Sequence, residues 1–103
     1  MEITSEHKKN FSTNGAILLK GAFSEFVEDA QNAIEENIEN PSWRERTYKP
    51  DDGGQAFFQD YVVWNKFYGY RNLVKNSKMA SIAAKLMNSN TARIFHDHIL
   101  VKE

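Results

Sequence analysis

The sequence contains no cysteine, which excludes disulfide bonds, thiolate nucleophiles and cysteine-ligated zinc sites. It also lacks an excess of charge of either sign, because 13 Lys and Arg residues face 14 Asp and Glu residues, for a net charge of −1. Proteins that bind nucleic acid by neutralising phosphates usually carry a basic excess. We therefore expect no nucleic-acid partner.

Long hydrophobic runs are absent as well, and we expect no membrane association. The first ten residues are polar and mixed in charge, without the apolar core of a signal peptide, which favours a cytoplasmic protein. A length of 103 residues with 41% hydrophobic residues fits a single domain with a modest core. The chain is too short for a complete large enzyme fold.

Hydrophobic periodicity predicts an α+β fold in which helices pack on a small β-sheet. An Asn-Gly turn at residues 14–15 precedes a predicted apolar strand over residues 16–19. A helix is predicted from Ser24, as its cap, to the Asn-Pro pair at residues 40–41. Its apolar stripe consists of Phe23, Phe26, Val27, Ala30, Ala33, Ile34 and Ile38.

The middle of the chain reads as a loop, a strand and a helix. Residues 42–55 are rich in Pro, Asp and Gly and predict a loop, which Trp43 and Tyr48 are expected to anchor. A run dense in aromatic and β-branched residues predicts a strand near Phe57. A helix through residues 73–74 is expected to follow.

The last third of the chain predicts one more helix and one more strand. Ser77 is typical of a helix cap, and the apolar stripe of this helix comprises Met79, Ile82, Ala83, Leu86 and Met87. Residues 88–90 predict a turn. Residues 92–103 predict a strand, and no partner strand lies near it in sequence.

Three consecutive residues of that strand, His96, Asp97 and His98, have the side chains of a two-histidine, one-carboxylate iron site. Successive strand residues point to opposite faces, so Asp97 cannot join the two histidines on one metal. The histidines interrupt an otherwise apolar strand, which favours a role in lining a pocket. They could instead fill a half-polar sheet face, or supply four nitrogens to a metal from two paired chains.

Three segments resemble the phytanoyl-CoA dioxygenase family of iron(II)- and 2-oxoglutarate-dependent oxygenases. Residues 11–24, FSTNGAILLKGAFS, look like the family's opening, where an Asn-Gly turn and a strand lead into a long helix. Residues 79–87, MASIAAKLM, are similar to the helix before its first core strand, and residues 91–103, TARIFHDHILVKE, look like that strand. These segments stand in the family's order along nearly the whole chain.

The resemblance implies that residues 1–103 are a single domain, the N-terminal portion of a jelly-roll dioxygenase with an incomplete core. The family's iron ligands, an HxD motif and a distant His, do not occur in this sequence. We therefore expect this chain alone to bind no cofactor and to be inactive, whereas the complete family member would use Fe(II) and 2-oxoglutarate. By strand phase, the positions facing the co-substrate are His96, His98 and Leu100.

Two expectations concern partners. The terminal strand exposes backbone donors and acceptors that recruit other chains, so we expect a dimer or higher oligomer, paired through Ala92 to Val101. The alternative function is a stand-alone α+β binding or oligomeric module in which His96 and His98 line a pocket or an interface. The substrate of a complete enzyme does not follow from these residues.

Overall fold

The chain is a small α+β protein in a computed structural model that describes residues 1–102. The elements follow in the order α1, α2, β1, α3, α4 and β2. Their bounds are Ser5–Asn14 for α1, Val27–Glu39 for α2, Phe57–Tyr61 for β1, Tyr68–Asn76 for α3, Met79–Leu86 for α4 and His98–Lys102 for β2. The predicted α+β class is confirmed.

The segment after α1 corrects one prediction. α1 begins with a capping box between Thr4 and His7 and ends at Gly15, whose φ of 76° gives the left-handed turn that favours glycine. The predicted strand over residues 16–19 is wrong, because these residues pair with no strand and the side chain of Leu18 is 83% exposed. A short apolar run forms a strand only where another edge is available to it.

α2 occupies the predicted helix, although its start differs in detail. Ser24 opens a 3-10 turn over Ser24–Phe26, and its hydroxyl donates to the carbonyl of Gly21 instead of capping the helix. The helix ends at Asn40, as predicted, and the Asn40 N–H donates to the carbonyl of Glu36 at 2.9 Å. Of the predicted stripe, Ala33 is fully buried and Val27 is half-exposed.

α2 packs closely against α3, and Gly69 makes this approach possible. A Cβ placed on Gly69 would lie 1.9 Å from the backbone oxygen of Asp29 in α2. The core beside this contact comprises Ala33, Val63, Phe67 and Tyr70. Ile34, Trp64 and Ile99 pack against it, so the strand β2 joins the helical core through Ile99.

The predicted strand near Phe57 is confirmed as β1, which pairs antiparallel with β2. The register runs from Phe57 opposite Lys102 to Tyr61 opposite His98. Phe58 and Asp60 are buried on the inner side of the sheet. The predicted helix through residues 73–74 is confirmed as α3.

The terminal strand is shorter than predicted. Only residues 98–102 form β2, residues 92–97 lie outside any strand, and Glu103 is outside the described residues. β1 ends at Tyr61 because Val62 turns into the left-handed region with a φ of 55°. The residues before Asp97 therefore have no strand opposite them.

Loop residues 42–55 lie where predicted, but the anchors differ. Trp43 is 80% exposed, so its ring does not hold the loop. Tyr48 does hold it, through backbone hydrogen bonds to Phe57 and not through its exposed ring. Ser77 lies just outside α4, and its hydroxyl accepts from the Met79 N–H at 3.1 Å.

Candidate functional site

The outer face of the sheet carries two of the three predicted site residues. On β2, His98, Leu100 and Lys102 are exposed, whereas the alternate residues Ile99 and Val101 are partly buried. The His98 ring stacks on Tyr61 with 4.1 Å between centroids, and its Nε2 lies 3.3 Å from Oε1 of Gln59. Leu100 is 54% exposed. Within residues 1–102, no helix packs on this outer face, which is defined by His98 and Leu100.

His96 lies apart from the other two. The segment before β2 is not a strand, so the predicted shared face of His96 and His98 does not extend back to residue 96. His96 instead lines a groove together with Ile94 and Ile99. The structure thus brings His98 and Leu100 together and places His96 at a different surface.

That groove runs between the helices α3 and α4 and the segment of residues 92–97. It consists of two adjoining cavities of about 330 and 280 Å³, which share Val74, Met79 and Ile94 as walls. Its walls are mostly apolar. Near the sheet it is lined by Trp64, Tyr70, Leu73, His96, Asp97 and Ile99.

Asp97 fixes the chain where β1 ends. Its backbone carbonyl accepts from the Val62 N–H at 3.0 Å, and its Oδ2 accepts from the Val63 N–H at 2.9 Å. Its other carboxylate oxygen, Oδ1, is buried and has no hydrogen-bond partner among the described residues. An unpaired buried acceptor of this kind is uncommon in proteins.

A second polar group, Asp60, is fully buried under the sheet and fully satisfied. Its carboxylate accepts from the Asn37 amide at 2.8 Å, from the Ser42 N–H at 2.7 Å and from the Ser42 hydroxyl. The Tyr61 N–H adds a further bond at 2.8 Å. Burial alone would raise the pKa of Asp60, but these hydrogen bonds outweigh it and lower the pKa below its ordinary value.

Tyr70 extends this network into the core. Its hydroxyl donates to Oδ1 of Asn37 at 3.1 Å. Burial, and then the negative charges of Asp60 and Asp97, raise the pKa of Tyr70 well above its ordinary value. The network thus connects α2, α3, the loop at Ser42 and β1. Because every donor and acceptor in it has a partner, its role is structural.

Sequence reasoning did not single out Asp60, although one signal was present, and it considered Asp97 only as a possible metal ligand. Asp60 stands two residues after Phe58, and so shares its inward face in any strand through this run. A carboxylate on that face requires several donors, which predicts a buried network. Asp97 gave no such signal, because its partners are backbone N–H groups some 34 residues away.

The described residues do not fit an iron(II) site. No group of three or more His, Asp or Glu side chains within residues 1–102 is arranged to hold a metal ion. His96, Asp97 and His98 are adjacent in sequence, but His96 and Asp97 line the groove, where Asp97 also accepts from the Val63 N–H, whereas His98 lies on the outer sheet face.

Comparison of the chain with protein-family models, curated proteins and solved structures found no match in any of the three. Within residues 1–102, no helix combines the length and the apolar character needed to cross a membrane.

Proposed function

We propose that this chain is the N-terminal portion of an iron(II)- and 2-oxoglutarate-dependent dioxygenase similar to the phytanoyl-CoA dioxygenase family. In this proposal the 103 residues alone have no catalytic activity, because the sequence lacks the HxD motif that such an enzyme uses for iron. A cytoplasmic location belongs to the same proposal. The observation that carries it is the uncovered outer face of the sheet, on which His98 and Leu100 stand side by side.

The uncovered outer face suits a sheet that further strands would complete. In a complete jelly roll, the face that is the outer face here would become the inner surface that encloses the co-substrate. His98 and Leu100 would then line that space. His98 is held in place by Tyr61 and Gln59 and so is oriented before any ligand arrives. His96 would join them only if the strand extended back to residue 96.

The reading frame downstream of the codon for Glu103 tests this proposal directly. We expect an in-frame continuation that encodes an HxD motif and, much later, a second His. A stop codon at this point, together with stable folding of the 103 residues, would overturn the proposal.

Iron binding gives a second, independent test. Anaerobic titration calorimetry of Fe(II) into the 103-residue chain, with 2-oxoglutarate present, should show no stoichiometric binding. Tight one-to-one binding would contradict the absence of a competent iron site. His96→Ala combined with His98→Ala would then show whether the two histidines are the ligands.

The groove favours a second candidate function, a stand-alone binding module. Its walls are mostly apolar, its two cavities are close to the size of ordinary ligand pockets, and Asp97 is among the residues that line it. A suitable ligand has an apolar body and a single cationic or donating head. Mostly apolar walls with a few charged groups, here Asp97 in one cavity and Arg93 in the other, are typical of small-molecule sites, and the cationic head would lie at the Asp97 end.

Trp64 in the groove provides the measurement for this candidate. In a Trp43→Phe background, Trp64 is the only tryptophan and its fluorescence reports on the groove. Phenethylamine should change this fluorescence with saturation, and phenylacetate, which has the same ring but an anionic head, should do so far more weakly. Equal responses, or none, would eliminate the binding module with this ligand class.

A further inference from the structure

The two edges of the β1–β2 sheet differ, and this difference points to a specific mode of association. On the β1 side the edge is covered by the loop. The Tyr48 N–H donates to the Phe57 carbonyl at 2.9 Å, and the Phe57 N–H donates back to Tyr48 at 2.8 Å. The Arg46 N–H donates to the carbonyl of Gln59 at 2.9 Å. No other strand can therefore add to β1 along this stretch.

The backbone direction on β2 follows from these bonds. In an antiparallel sheet the N–H and C=O of successive residues point alternately to the two neighbours. Since Phe57 and Gln59 face the loop, Phe58 and Asp60 face β2, where Val101 and Ile99 lie opposite them. The bond from the Val62 N–H to the Asp97 carbonyl continues the same alternation.

It follows that His98, Leu100 and Lys102 direct their backbone groups away from β1. Outside the β1–β2 ladder, the backbone N–H and C=O groups of these three residues form no hydrogen bond with the backbone of any residue within 1–102. The edge also has few of the features that prevent pairing. It contains no proline and no acidic residue, and only Lys102 carries a full charge at neutral pH.

We propose that β2 pairs antiparallel with β2 of a second copy of this chain, about a two-fold axis at Leu100. Leu100 then lies opposite Leu100 of the second copy, and Ile99 lies opposite Val101 of the second copy on the inner side. His98 lies opposite Lys102 of the second copy on the outer face. Apolar residues thus meet apolar residues at the centre, as favourable cross-strand pairs require.

A second copy fits this edge better than an unrelated strand, because the pairing closes. One two-fold contact satisfies the free edges of both copies at once. The outermost strands of the resulting four-stranded sheet are the two β1 strands, and the loop covers both. Growth therefore stops at a dimer. This inference goes beyond the proposed function, since it concerns the 103-residue chain by itself and depends only on the edge.

Charge substitution at Leu100 tests the pairing and its register together. Leu100→Lys and Leu100→Glu each place two like charges directly opposite one another across the two-fold axis, so each variant alone should be monomeric. An equimolar mixture should form a heterodimer, because Lys then faces Glu. Light scattering coupled to size exclusion should give the wild type twice the mass of one chain at high concentration.

Gln59→Lys is the matched control. It adds the same charge to the same outer face, directly opposite Leu100 within the chain but away from the free edge. It should remain dimeric, and circular dichroism should show all four proteins folded. A monomeric wild type would overturn the proposal, and so would dimers that persist in both Leu100 variants. Failure of the mixture to form a heterodimer would overturn the Leu100 register.

Discussion

At the scale of single residues, Gly69 has the most demanding position in the fold. The nearest atoms to a Cβ at this site are the backbone oxygen and carbon of Asp29, at 1.9 and 2.6 Å, and backbone atoms cannot move aside as a flexible side chain can. α2 and α3 would have to separate. We therefore expect Gly69→Ala to lower the free energy of unfolding by about 3 kcal/mol or more.

Urea unfolding followed by circular dichroism measures this effect. Gly54→Ala is the control, since Gly54 lies in an exposed loop and its new methyl group would meet the movable side chain of Asp52 at 3.0 Å. It should change the stability by less than about 1 kcal/mol. Equal losses in the two variants would show that the α2–α3 contact is looser than described.

The lowered pKa of Asp60 predicts how the free energy of unfolding changes in acid. Its folded-state pKa is lowered, so the folded state favours the ionised carboxylate more than the unfolded chain does. The stability that this provides is fully present above the unfolded pKa of about 3.9 and is lost as pH falls through the folded value. Unfolding should therefore become easier below about pH 4.

Asp60→Asn tests the origin of this pH dependence. The variant should remove the acid-sensitive contribution and should also lower stability at pH 7 by about 2 to 4 kcal/mol, because an amide group replaces an acceptor that faces four donors. Denaturant curves from pH 3 to pH 7 provide the comparison. Asp51→Asn, in the exposed loop, should leave the pH profile as it is in the wild type.

At the scale of elements, the local pattern predicted α2, α3 and α4 but not α1, and it predicted the strands only in part. α2 and α4 show strong apolar periodicity, which depends on the residues of the helix alone. Strands depend on what lies opposite. Within residues 1–102, residues 16–19 have no partner strand. Residues 92–97 have none either, because β1 ends at Tyr61, just before the left-handed turn at Val62. The absence of a partner strand cannot be predicted from the apolar residues of either segment.

The left-handed turn at Val62 carries a prediction of its own. A β-branched residue at a φ of 55° is strained, and glycine adopts this conformation freely. Val62 is also half-exposed, so little packing is lost on its removal. Val62→Gly should raise the free energy of unfolding by about 1 kcal/mol.

Thermal unfolding with Val101→Gly as the companion variant checks this prediction. Val101 is in the regular part of β2, and glycine there should destabilise the strand. The two Val→Gly substitutions should thus have opposite signs. A loss of stability at both positions would mean that Val62 is not strained.

The candidate site, like the strands, could be predicted from the sequence only in part. The alternation on β2 placed His98 and Leu100 on one exposed face, as the sequence predicted. His96 was assigned to that face by extending the alternation past the end of the strand, and it lies in the groove instead. The groove itself requires the positions of α3 and α4, which depend on the contacts of α3 with α2 and of α4 with α1 and α3, and not on local sequence.

At the scale of the whole molecule, the chain is more extended than a compact domain of its length. Its radius of gyration is 16.0 Å, whereas about 13 Å is typical for 100 residues. Within residues 1–102 only six hydrophobic side chains are buried, and several large ones, such as Leu18, Phe95 and Leu100, remain exposed. A core this small leaves a thin margin of stability, so association should contribute a large part of it.

The proposed dimer therefore predicts that stability depends on chain concentration. When folding is coupled to dimerisation, each tenfold rise in concentration adds about 1.4 kcal/mol per mole of dimer in favour of the folded state. The urea midpoint of the wild type should accordingly rise between low and high micromolar concentrations. Leu100→Lys should unfold at a midpoint that does not change with concentration, because it folds as a monomer. A wild-type midpoint that is equally independent of concentration would mean that the free edge of β2 contributes nothing to the folded state.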